Sequence, residues 1–199
     1  MVLDQLRELG ISSGPVLLEP SARNTAPAMT LAALAASEGD VDPVLVVSPA
    51  DHVVADTAAF TRAMNTAIHA AAGGAIVVLG ITPDRPETGY GYIKCAHGQQ
   101  AARIVSQFVE KPDLVTAERY VADGNYTWNS GMFVLRASTW LDALRRFRPD
   151  ILSATANAWA ARKTDQRFVR PGAPEFATVP AESIDYAVME HCPGSGIDI

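Results

Sequence analysis

Val44-Leu45-Val46-Val47-Ser48-Pro49-Ala50-Asp51 is the stretch that decides the fold class. An unbroken apolar run without alternating polar side chains predicts a strand covered on both faces, the habit of a central strand in a parallel sheet. Pro49-Ala50-Asp51-His52 follows at once, which sets a carboxylate just past the strand's end. Upstream, Val16-Leu17-Leu18 reads as a short buried strand ending at Glu19-Pro20. Thr25 then caps a helix with Pro27 in its first turn, an Ala-rich face to about Ser37, and Gly39 just beyond. Downstream, Asp56 caps a helix to about Ala72, stopped by Gly73-Gly74, and Ala75-Ile76-Val77-Val78-Leu79-Gly80-Ile81 is another buried strand. Alternating strand and helix is the pattern of an α/β sheet, whose ligands bind beyond the carboxyl ends of the strands. Glu19, Asp51 and the segment after Ile81 fall at such ends.

Further out, residues 1–9 read as a helix with Gly10 as its stop. From Ile93 onward the β segments lengthen, over 102–109 and 132–135, with a helix over 114–122 between them. Helices are predicted over 138–147 and 149–163, broken at Arg148-Pro149. A less regular Pro- and Gly-rich region leads to 180–190, the opening turns of a last helix. No repeat, low-complexity tract or linker interrupts the chain, so residues 1–199 are read as one domain.

Composition narrows the function classes. Hydrophobic residues make up 48% and charged residues 19%, a globular balance. A net charge of -6 argues against nucleic acid as a partner, which wants a basic surface. No apolar run approaches the roughly 18 residues of a membrane helix, and the N-terminus lacks a signal-like core, so a cytoplasmic location is expected. Cys95 and Cys192 form no CxxC and are read as packing thiols. His52, His69 and His97 show no ligand spacing.

Three motifs carry candidate chemistry: Thr88-Gly89-Tyr90-Gly91-Tyr92-Ile93, Phe108-Val109-Glu110-Lys111-Pro112 and Trp128-Asn129-Ser130-Gly131-Met132-Phe133. Each sets a glycine or a turn beside a polar side chain at a sheet edge. Glycine admits a ligand close to the backbone, and a Glu-Lys pair accepts from sugar hydroxyls while meeting a phosphate. That pairing points to a sugar phosphate, although a lone Glu-Lys-Pro is also what a solvated strand end before a turn looks like. Asp51 and Asp185 are carboxylates of the kind that hold Mg²⁺ together with substrate phosphates, and equally of the kind that cap a loop or a helix start.

These three motifs join Glu19-Pro20-Ser21-Ala22-Arg23-Asn24-Thr25-Ala26-Pro27-Ala28, Pro49-Ala50-Asp51-His52 and Ser183-Ile184-Asp185-Tyr186-Ala187-Val188-Met189-Glu190. In this order they resemble the motifs of bacterial mannose-1-phosphate guanylyltransferases (GDP-mannose pyrophosphorylases), of the sugar nucleotidyltransferases. The resemblance implies a Rossmann-like mixed, mainly parallel sheet flanked by helices. It also implies transfer of GMP from GTP to mannose 1-phosphate, with release of pyrophosphate. On the same footing Asp51 and Asp185 would hold Mg²⁺, and Lys111 would face the sugar phosphate. Glu110 would accept from mannose hydroxyls, while Gly89, Tyr90, Gly91 and Asn129 complete the sugar pocket. Arg23, Asn24 and Thr25 would line the nucleotide loop. Glu19 suits guanine on physical grounds as well, because its acceptor-only carboxylate meets the donors at N1 and N2.

The chain departs from this pattern in places. The family's glycine-rich loop and first strand have no counterpart, so a partial domain is expected, one needing that loop for full activity and prone to expose an edge and associate, a homo-oligomer included. His191 stands where the family usually has Lys, and isomerase activity, which bifunctional members of the family carry in a C-terminal region, is not expected of these residues. Two other readings stay open: a catalytically silent sugar-phosphate or partner-binding module of the same fold, and a related uridylyl- or thymidylyltransferase.

Overall fold

The computed structural model describes residues 2–39, 41–96 and 102–199. His97 lies outside the described residues. The elements run α1 (Val2–Glu8), β1 (Val16–Leu17), α2 (Thr25–Ala36), β2 (Val44–Val47), α3 (Thr57–Ala72), β3 (Val77–Ile81), β4 (Tyr92–Cys95), β5 (Val105–Val109), α4 (Leu114–Asp123), β6 (Tyr126–Arg136), α5 (Ala137–Phe147), α6 (Pro149–Ala160), β7 (Lys163–Asp165), β8 (Phe168–Arg170), α7 (Ala173–Phe176) and α8 (Ile184–Ala187), with a 3₁₀ turn over Met189–His191. The α/β reading holds: sheets flanked by helices.

The pairing differs from a mainly parallel sheet. β6 is the spine: β2, β3 and β4 all pair with it antiparallel, and β5 pairs antiparallel with β4. β2 and β3 therefore run the same way without touching. The one parallel pair among the described residues joins β1 to β8, in a separate three-stranded sheet with β7. Val44–Val47, expected as a central covered strand, is thus an edge strand, and Val46 is 49% exposed. Both faces still pack: Val44 joins α3 and β3 against Val134 on one side, and Leu45 and Val47 lie against the main core on the other. β1 is likewise half-buried rather than buried.

Several helix boundaries follow local chemistry closely. Asp56 Oδ1 accepts from Ala59 N at 2.8 Å, and Asp113 Oδ1 from Thr116 N at 2.7 Å, each capping the helix it precedes. Asn24, not Thr25, caps α2: its side chain accepts from Thr25 N at 2.8 Å, with φ at +67°. The helix predicted over 149–163 ends at Ala160, because Lys163–Asp165 pairs with Phe168–Arg170 in a hairpin that the irregular sequence did not announce.

The main core lies where α2, α5 and α6 cover the sheet, and Trp140 is its largest fully buried side chain. Its indole N–H donates to Thr30 Oγ1 at 3.0 Å, and that hydroxyl donates to Ala26 O at 2.7 Å, so neither buried polar group is left unpaired. A smaller aromatic cluster of Tyr92, Tyr126 and Trp128 packs under α4 with Tyr120. The Tyr92 hydroxyl accepts from Glu87 N at 2.9 Å, which ties the loop before β4 to that cluster.

Candidate active site

A cleft of about 1330 Å³ opens between α3, β3 and the β4–β6 edge. It gathers Asp51, Gly89, Tyr90, Gly91, Glu110, Lys111, Asn129 and Asp185, side chains and backbone from five separate stretches of chain. Glu19, Arg23, Asn24 and Thr25 do not line it.

The floor is built by β4 and β6. Asn129 N donates to Gly91 O at 2.8 Å, so the two strands bring their motifs into register. A side chain at position 91 would meet Glu110 Oε2 at 2.5 Å and Asn129 Cβ at 3.3 Å, which is why this position is glycine. Val78 and Gly80 of β3 face Phe133 and Asn129 of β6, so residues 130–132 bulge out of the ladder toward the cleft. Asn129 Oδ1 accepts from Gly131 N at 3.0 Å, and Gly131 takes φ +71°, where an added Cβ would lie 3.6 Å from Pro49 Cγ.

The opposite wall comes from the end of β5 and from α8. Asn129 Nδ2 donates to Asp185 Oδ1 at 2.9 Å, orienting that carboxylate. Lys111 takes φ +47°, a region that non-glycine residues seldom occupy, and its ammonium pairs with Glu110 Oε1 at 3.3 Å. The Glu110 side chain is only 9% exposed, whereas Lys111 is exposed. Burial pushes the Glu110 carboxyl up, and the Asp185 and Glu190 charges add to that, against the pull of Lys111. Burial likewise raises Asp185, with Glu190 adding, while the Asn129 and backbone hydrogen bonds and Lys111 oppose it. This wall is short of positive charge.

Asp51 is exposed in the cleft. Among the described residues no three His, Cys, Asp or Glu side chains are grouped to hold a metal ion. Two carboxylates on a shared cleft, with further oxygens supplied by phosphates, remain a donor set that fits Mg²⁺, which seldom uses an all-protein cage.

The 19–25 segment is placed differently. Glu19 is exposed, and the Arg23 guanidinium donates to Ala177 O. Thr25 Oγ1 accepts from Ile184 N at 3.0 Å, and Ala26 N donates to Glu182 O at 3.1 Å. Arg23, Asn24 and Thr25 thus spend side-chain bonds inside the fold, and Thr25 braces the residue before Asp185.

Arg85 drew no notice in the sequence, and Trp128 and Glu190 stood in the quoted motifs without a role. Tyr90 meets Trp128 edge-on at 5.3 Å, and the Arg85 guanidinium lies 5.3 Å from the Trp128 ring, making a cationic aromatic rim. An arginine in a Pro-rich loop carries no signal by itself. Glu190 closes the last quoted motif, but its role depends on a partner 80 residues away. His191 is exposed, with its ring 5.4 Å from Phe147.

Residues 2–175 match the nucleotidyl transferase family. The chain belongs to that family. It is 52% identical over 190 residues to the Xanthan biosynthesis protein XanB of Xanthomonas campestris, covering 96% of this chain and 40% of that one. Mannose-1-phosphate guanylyltransferase of Escherichia coli is 49% identical over 197 residues, covering 96% and 41%. Among solved structures, mannose-6-phosphate isomerase from Helicobacter pylori superposes with a TM-score of 0.85 at 32% identity, covering 95% of this chain and 73% of that one. The chain spans about 40% of the length of the curated relatives it matches. No helix among the described residues is long and apolar enough to cross a membrane.

Proposed function

We propose that the cleft is the sugar-phosphate side of a mannose-1-phosphate guanylyltransferase site, joining GTP and mannose 1-phosphate into GDP-mannose and pyrophosphate. The observation that carries this reading is the convergence of Gly91, Glu110, Lys111, Asn129 and Asp185 on one cleft. Its support from relatives is the guanylyltransferase named above.

A phosphate oxygen of mannose 1-phosphate attacks the α-phosphorus of GTP, a P–O bond forms, and the bond to the β-phosphate's bridging oxygen breaks as pyrophosphate leaves. The attacking oxygen is already ionised, so no general base is required, and rate comes from positioning and charge neutralisation. Lys111 holds the sugar phosphate by its ammonium. Glu110 and Asn129 take mannose hydroxyls, with Gly89 and Gly91 letting the ring approach the backbone and Tyr90 closing the rim. Asp51 and Asp185 would hold Mg²⁺, which supplies neutralisation of the phosphate oxygens. Glu19 would accept from guanine, with Arg23, Asn24 and Thr25 shaping that loop. Such chemistry belongs in the cytoplasm, and a homo-oligomer remains compatible with the exposed β2 edge.

A second reading, a module that binds the sugar phosphate without turnover, is favoured by one observation: the Arg23 guanidinium is turned onto Ala177 O instead of the cleft. Pyrophosphate release from GTP and mannose 1-phosphate with Mg²⁺ separates the two. The first expects release, lost in Asp51→Ala and absent with glucose 1-phosphate and UTP. Mannose 1-phosphate binding without release is the result expected of the second.

A further inference from the structure

β5 ends its ladder at Val109, opposite Tyr92, so the next amide, Glu110 N–H, has no strand partner. It donates instead to Glu190 Oε1 at 2.8 Å. Glu190 sits in the 3₁₀ turn just after α8, fixed by Met189, which is fully buried. One residue further on, Lys111 holds a positive φ before a buried Pro112. A non-glycine residue stays in that region only where its surroundings over-determine it, at a cost of order 1–3 kcal/mol. Here the surroundings are Pro112 on one side and the Glu190 anchor on the other.

We propose that Glu190 is a positioning residue for the sugar-phosphate site: by accepting the Glu110 amide it fixes the turn that aims the Glu110 carboxylate over Gly91 and the Lys111 ammonium into the cleft. The inference rests on the functional reading above and adds to it a residue that touches no substrate. α8 and this turn then act as one bracket. Asp185 accepts from Asn129 on the floor and Glu190 from the Glu110 amide after β5, so this segment is tied to both.

The sign of one effect separates this role from a plain charge effect. Mannose 1-phosphate is anionic, so deleting a nearby carboxylate strengthens binding if Coulomb interaction alone operates. Loss of the anchor weakens it. A merely structural Glu190 lowers the melting temperature and leaves the affinity of the folded protein unchanged.

The test is calorimetric titration of mannose 1-phosphate into the 199-residue chain, its Glu190→Ala variant and its Glu190→Gln variant, each checked for folding by circular dichroism, with hydrogen exchange of the Glu110 amide followed in parallel. Glu190→Ala is expected to bind about tenfold more weakly, and Glu190→Gln, which keeps the acceptor oxygen, within about twofold of the parent. Parent-like or tighter binding in Glu190→Ala overturns the proposal, as does equal weakening in both variants. If the parent itself binds no mannose 1-phosphate, the functional reading fails instead. Exchange then decides the anchor alone: faster Glu110 exchange in Glu190→Ala, restored in Glu190→Gln, supports it, and unchanged exchange overturns it.

Discussion

The cleft around Glu110 and the loop around Arg23 were read from sequence with the same kind of motif, yet the fold uses them differently. In the cleft, Gly91, Glu110, Lys111, Asn129 and Asp185 point their polar groups at one another and at open space. In the loop, Arg23, Asn24 and Thr25 point theirs at Ala177, at the first turn of α2 and at Ile184. In the first set Asn129 lies on β6, Gly91 and Glu110-Lys111 flank the ends of paired strands and Asp185 opens α8, whereas the second set sits on a connection that has to satisfy its own backbone.

Substitutions that remove the cleft's charges should have the largest effect. Asp51→Ala and Lys111→Ala should each lower pyrophosphate release by about 10²–10³-fold, while Arg23→Ala, if the loop is mainly structural, costs stability before rate. Comparable rate losses in all three would erase the distinction between the regions. Gly91→Ala comes next: its methyl displaces the Glu110 carboxylate, and a drop in mannose 1-phosphate affinity of about tenfold or more is expected with little change in melting temperature. A folded variant with parent-like affinity would show that Glu110 is not held over Gly91.

Asn24→Ala tests the loop from its own side. The cap it removes is worth about 1 kcal/mol, so the melting temperature should fall while sugar-phosphate affinity holds. A loss of affinity at unchanged stability would move Asn24 into the site.

The pH dependence sharpens the contrast further. The folded state holds the Asp185 proton more tightly than the unfolded chain does, so its contribution is fully present below the ordinary carboxylate pKa and lost as pH rises through the raised value. Asp185→Asn should accordingly melt a few degrees higher than the parent at neutral pH, with the gap closing toward about pH 4, and should be inactive. A variant that melts lower at neutral pH contradicts the sign of that shift. The smallest effect concerns the thiols. Burial pushes Cys192 up to about 12, so a thiol reagent at neutral pH should label half-buried Cys95 and spare Cys192 in the folded protein.

Much of the fold was legible because its signals are local. Asp56 and the Gly73-Gly74 stop mark helix ends by chemistry that acts within a turn. The neighbour of β2 was not legible. An apolar run such as 44–47 records that a strand is covered, and nothing in it distinguishes β6 running antiparallel from a parallel partner. The same limit hid the β7–β8 hairpin, whose exposed Lys163–Asp165 carries no alternation. In the site, residue types and motif order pointed to the cleft set. Glu190 and Arg85 stayed out of view because their roles come from partners brought close only by folding.

Amide chemical-shift mapping of mannose 1-phosphate on isotope-labelled protein would locate the sugar-phosphate site residue by residue. Shifts are expected to concentrate at Gly89, Gly91, Glu110, Lys111 and Asn129, with residues 23–25 nearly still. Shifts centred on 23–25, or scattered without reaching Lys111, would contradict this placement.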